Sequence, residues 1–153
     1  MTRVITAVLS ACALFLMYYT AHAGGALDAF VGARSGNGEV FFSGGATEKM
    51  RCVRRGTLAG STLTVHMRCA SPSFKIDLHC TLNAVGEKLS GSCHEDNYGV
   101  AITVRGSVRN STISASVQTD TGNNGRLIMP AIGSLSLVAN DSKLATKFVA
   151  NLQ

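Results

Sequence analysis

An all-β domain built from consecutive antiparallel hairpins is the fold class the sequence predicts, and three observations predict it. Apolar and polar residues alternate with a period of two, small turn-forming clusters recur about every 9 to 16 residues, and cysteines fall in pairs symmetric about two of those turns. Beyond the N-terminal region no stretch sustains a 3.6-residue apolar period, so no long helix is expected.

The N-terminal 23 residues have the organisation of a secretory signal. Arg3 supplies a positive charge, Val4 to Ala21 form a nearly unbroken apolar run, and Ala21-His22-Ala23 is a small-x-small cleavage site. Segment 1–23 is therefore expected to be a signal peptide, leaving Gly24 at the mature N-terminus. Leu9-Ser10-Ala11-Cys12 matches a lipobox that would lipidate Cys12. Few apolar residues precede that tetrapeptide, and an apolar run follows where a polar tether belongs, so cleavage after Ala23 is the better reading. Residues 24–35 are expected to form a lead with one helical turn at Leu27 to Val31, and 36–153 a single β domain. About 130 residues are enough to enclose a hydrophobic core.

Nine breaks divide the mature chain. They are centred on Ser43-Gly44-Gly45, Ala59-Gly60-Ser61, Ser71-Pro72-Ser73, Val85-Gly86-Glu87, Asp96-Asn97-Tyr98-Gly99, Arg109-Asn110-Ser111, Asn123-Asn124-Gly125, Ile132-Gly133 and Asn140-Asp141-Ser142. Between them one face collects Phe74, Ile76, Leu78, Cys80 and Leu82, while Lys75, Asp77, His79 and Thr81 take the other. Val100, Ile102, Val104 and Val108 repeat the pattern. Eight to ten short strands follow, arranged as an up-and-down antiparallel meander. Closure or near-closure into a β-barrel is expected because it removes exposed edges; a β-sandwich is the alternative.

Of the five cysteines, Cys52, Cys69, Cys80 and Cys93 lie beyond the signal. An even number in an exported chain argues for disulfides in an oxidising compartment, periplasmic or extracellular. Cys52 and Cys69 are equidistant from the Gly60/Ser61 turn, and Cys80 and Cys93 from the Gly86/Glu87 turn. Residues equidistant from a hairpin turn face each other, so Cys52–Cys69 and Cys80–Cys93 are the expected bridges. Each would contribute about 3 kcal/mol by restricting the unfolded chain.

Composition narrows function chiefly by exclusion. With Arg3 removed, 13 of the 14 basic residues stand against nine acidic ones, a net charge of +4. That excess is too small to imply a nucleic-acid partner, and with no Trp and Tyr98 as the lone mature Tyr, aromatic stacking platforms are scarce. There is no GxSxG, SxxK, HExxH, phosphate-cradling glycine loop or CxxC. Neither an enzyme nor a cofactor is expected. Lys, Arg and Asp at mid-strand on the outer faces argue against a membrane-spanning barrel.

Three constellations remain as candidate sites. On the first disulfide hairpin Arg51, Arg55, His66 and Arg68 alternate outward as a cationic stripe suited to an anionic partner. Arg54 shares the parity of Cys52, so it points inward, toward an open barrel end or the mouth of an anion-binding interior. On the second hairpin His79 faces His94, a weak candidate metal pair with Asp77 as a third ligand. Asp77 and Glu95 are otherwise expected to be solvated surface carboxylates. Finally, the loop Asp96-Asn97-Tyr98 beside the second bridge is a candidate interaction loop.

Met67-Arg68-Cys69-Ala70-Ser71-Pro72-Ser73-Phe74-Lys75-Ile76-Asp77-Leu78, with the upstream Arg51-Cys52, resembles a set of small uncharacterised secreted proteins of rhizobium-like α-proteobacteria. In them an RCAS-x-S-aromatic segment follows a first cysteine. The resemblance implies export and a β fold and brings no activity with it. The Cys80/Cys93 pair stands outside the pattern. The expected function is a non-enzymatic exported binding module that recognises a partner protein or an anionic envelope molecule. The alternative is an inhibitor of a periplasmic or host hydrolase.

Overall fold

The computed structural model describes residues 25–140 and 145–153. The expected signal peptide and the lipobox cysteine Cys12 lie outside the described residues. A single 3-10 turn, Asp28–Phe30, leads into ten strands: β1 (Gly32–Phe42), β2 (Thr47–Ala59), β3 (Thr62–Ala70), β4 (Lys75–Val85), β5 (Lys88–Glu95), β6 (Val100–Arg109), β7 (Thr112–Thr119), β8 (Asn124–Pro130), β9 (Gly133–Asn140) and β10 (Ala145–Leu152). β1 thus starts inside the segment read as a lead, because Ala33 and Arg34 pair with Arg55 and Arg54 of β2.

Every strand pairs antiparallel with its sequence neighbour, and β1 also pairs β10, so the sheet is a closed barrel. The seam runs from Gly36↔Leu152 to Phe42↔Ala145, and reciprocal backbone bonds between Ser35 and Gln153 extend it by a residue. Closure leaves no strand with a free edge, which excludes the sandwich. Gly36 is what lets the seam close. A Cβ built on it would lie 1.7 Å from the Asn151 carbonyl oxygen, so no larger residue fits there.

The break read at Asn123-Asn124-Gly125 lies three residues too late. The chain turns over Asp120 to Asn123, with Gly122 at φ 89° and the Asn123 amide donating to Thr119 Oγ1. Gly125 is a buried residue inside β8, where a Cβ would come within 2.7 Å of the Val138 carbonyl. A glycine needed for close approach was read as a turn former.

The two ends of the barrel differ. The β2–β3, β4–β5, β6–β7 and β8–β9 turns share one end with the 3-10 turn, whose Phe30 and Leu27 are buried there with Leu63, Leu89 and Ile113. At the opposite end the inward side chains Phe42, Phe74, Leu78, Ile102, Val117 and Leu137 are only partly buried. One end is plugged, and the other is a shallow apolar mouth. Between them the interior is filled. What remains is a cavity of about 70 Å³ lined by apolar side chains such as Val65, Met67 and Phe148, against roughly 300–1,000 Å³ for a drug-sized ligand site.

Both predicted disulfides are present. Cys52–Cys69 and Cys80–Cys93 bridge directly paired residues of β2–β3 and β4–β5, with Cα separations of 4.1 and 4.0 Å, and all four sulfurs belong to the buried core. No helix among the described residues is long and apolar enough to cross a membrane.

Candidate functional site

Most of the candidate side chains sit on the outer face of β2 to β5 and on the mouth-end loops that join them. Strand alternation sends Cys52, Arg54, Cys69, Cys80 and Cys93 inward, so Arg51, Arg55, Arg68, His79 and His94 must point out. Arg55 pairs with His66 across β2–β3, as the turn symmetry predicts.

Around the exposed Val53, residues Arg51, Arg55, Arg68 and Lys75 enclose a surface depression of about 480 Å³. It adjoins a broader groove of about 800 Å³ that runs across β10, β1 and β2 and shares Arg51 and Ala70 with it. Among the described residues Arg51, Arg55 and Lys75 make no ion pair, whereas the Arg68 Nε lies 3.4 Å from Asp77 Oδ2. The depression is thus a net cationic surface with an apolar floor.

Arg54 is not part of this surface. It is 1 % exposed and lies at the plugged end, with its guanidinium 5.7 Å from the Phe30 ring centroid. One terminal nitrogen donates to the Ala131 carbonyl at 2.7 Å and the other to Pro130 at 3.3 Å, while Nε has no partner among the described residues. Burial, reinforced by the facing charge of Arg34, pushes its pKa down. Its donors hold the β8–β9 turn against the plug; it opens onto neither the mouth nor a cavity.

The second constellation is larger than the sequence reading made it. His66, His79 and His94 form one cross-strand row on β3, β4 and β5. The His66 and His79 rings stack with centroids 3.9 Å apart. Both turn Nε2 toward Asp77 Oδ1, at 2.6 Å from His66 and 3.4 Å from His79. Asp96 lies on the other side, its Oδ2 3.3 Å from His79 Nε2 and its Oδ1 3.6 Å from His94 Nε2. The hydrogen bond from His66 holds the Asp77 carboxyl below its ordinary range, helped by Arg68 and the two imidazoles and opposed by partial burial. Alternation along β3 alone assigns His66 to the cationic stripe and leaves it out of this group. The signal was available: His66 and His79 are equidistant from the Pro72/Ser73 turn.

Glu95 corrects the expectation of a solvated carboxylate. It shares the inward parity of Cys93 and is 8 % exposed. Its oxygens accept from the Asp77 amide at 2.8 Å, the Asn97 side-chain amide at 3.0 Å and the Tyr98 amide at 2.7 Å. The loop Asp96-Asn97-Tyr98 is therefore braced from within. The Tyr98 ring stacks on Phe74, which meets Phe42 edge-on, each pair of centroids 5.6 Å apart. Partial burial and the Glu95 charge push the Tyr98 phenol up.

No family model and no curated protein matches this chain. Among solved structures, the crystal structure of Rv2717c from M. tuberculosis superposes with a TM-score of 0.62 at 12% identity. The match covers 84% of this chain and 94% of that one. At that identity the likeness is one of fold alone.

Proposed function

We propose that the protein is an exported, non-enzymatic binding module of the periplasm or the secreted milieu, and that it recognises an anionic envelope molecule on the outer face of β2 to β4. The observation that carries this reading is the depression bounded by Arg51, Arg55, Arg68 and Lys75, three of which have no carboxylate partner among the described residues. Exposed cations around the apolar Val53 suit an amphiphile with an anionic headgroup. A filled barrel supports recognition at the surface over ligand capture inside. The outward charges at mid-strand support a barrel that meets an envelope surface without spanning it. The two buried disulfides are compatible with an oxidising compartment.

Vesicle sedimentation tests the reading. The protein should bind vesicles rich in anionic phospholipid over zwitterionic ones, and Arg51→Glu with Arg55→Glu should weaken binding at least about tenfold, since each charge near an anionic surface contributes about 1 kcal/mol. The difference should shrink as salt shortens the screening length from about 8 Å at physiological ionic strength. Equal binding by the double variant would overturn the reading. Loss on Tyr98→Ala alone would move recognition to the braced loop, as the inhibitor alternative requires.

A further inference from the structure

The row of histidines holds a second kind of chemistry, independent of the cationic depression. We infer that His66 Nε2, His79 Nε2 and Asp77 Oδ1 form a surface site for a divalent transition ion of the zinc class. These three atoms lie within 4.8 Å of one another. Two imidazoles and one carboxylate oxygen are a donor set that zinc accepts, with water in the fourth position.

The spacing is close to what coordination needs. Tetrahedral zinc with bonds of about 2.0–2.1 Å places neighbouring donors about 3.3 Å apart. His79 Nε2 already stands 3.4 Å from Asp77 Oδ1, and the 2.6 Å hydrogen bond from His66 has to open by about 0.7 Å as its proton is displaced. Adjacent antiparallel strands set both imidazoles, and the Cys69 and Cys80 half-cystines lie inward on those strands, so the backbones are held from two sides.

The surroundings supply the outer shell. Arg68 neutralises the second Asp77 oxygen and leaves Oδ1 to the ion. The Asp77 amide donates to the buried Glu95, which fixes the backbone that carries the carboxylate. Asp96 lies between His79 and His94 and offsets the positive charge of a filled site. His94 pairs with His79 but lies outside the three-atom group, so it is not a ligand.

The probe is Zn²⁺ alone, titrated into the metal-stripped full chain, purified as exported, against a chromogenic chelator at neutral pH. One Zn²⁺ per chain is expected, and His66→Ala, His79→Ala and Asp77→Asn should each weaken binding on the order of tenfold or more, since even outer-shell partners carry 10–100-fold. His94→Ala should bind Zn²⁺ as the parent does, because His94 reaches the site only through Asp96 and touches no ligand atom. A Zn²⁺-induced rise in melting temperature should accompany binding and vanish in His66→Ala, while the metal-free melting temperatures of parent and variants report on folding. Two results overturn the assignment: no Zn²⁺ retained against the chelator by the folded parent, or binding that survives loss of His66 and fails on loss of His94.

Discussion

At the scale of single residues, Arg54 and Glu95 show how much a buried charge depends on what it finds. Glu95 collects three amide donors and turns a loop into a rigid element. Arg54 collects two carbonyls and an aromatic face, and among the described residues it finds no carboxylate within ion-pair distance and no partner for Nε. Its desolvation costs several kcal/mol, and charge-assisted bonds to neutral carbonyls return about 1.5–3 kcal/mol each, so the two nearly cancel. Arg54→Met, which keeps most of the volume, should therefore change stability by no more than about 1 kcal/mol in denaturant unfolding. Arg54→Ala opens a void under Phe30 and should cost about 2–4 kcal/mol. Equal large losses in both variants would mean that the charge itself secures the plug.

At the scale of elements, the connection between β3 and β4 is tied to β2 by one carboxylate. Glu48 accepts from the Ser73 amide at 3.0 Å and from the Ser73 hydroxyl, and the Ser71 hydroxyl bonds the Phe74 backbone. The Ser73 hydroxyl is the main reason the Glu48 pKa falls below its ordinary 4.5, followed by the Ser73 amide and Ser71. A lowered folded-state value means that the unfolded chain takes up the proton first. The stabilisation is complete above about pH 4.5 and is lost as pH falls toward the folded-state value. Thermal melts from pH 6 to 3 should show Glu48→Gln less stable than the parent at the upper end, with the gap closing below about 4.5. A constant gap would assign the effect of Glu48 to something other than its charge.

At the scale of the whole molecule, the defining event is the pairing of β1 with β10, which joins strands more than a hundred residues apart. Every other pairing is a local hairpin. Removing residues 145–153 should therefore leave the hairpins intact as units while exposing β1 and β9 as unpaired edges. Size-exclusion chromatography should find the truncated chain associated, and its melting should lose cooperativity. A truncated monomer melting like the parent would show that the seam is dispensable.

Much of this molecule was legible because its topology is local. Period-two alternation, turn clusters and cysteine symmetry determined the hairpin meander, the registers of β2–β3 and β4–β5, both disulfides and the outward placement of Arg51, Arg55 and Arg68, since each follows from residues a few positions either side of a turn. Parity alone also marks Glu95 as inward, and the Pro72/Ser73 turn alone pairs His66 with His79. Only the tertiary structure decided that the sheet closes, which end is plugged and that the interior is filled. It also decided that Arg54 meets carbonyls 76 and 77 residues away. Those features depend on accumulated twist and on side-chain volumes meeting across the barrel, and neither is encoded in the spacing of residues along one strand.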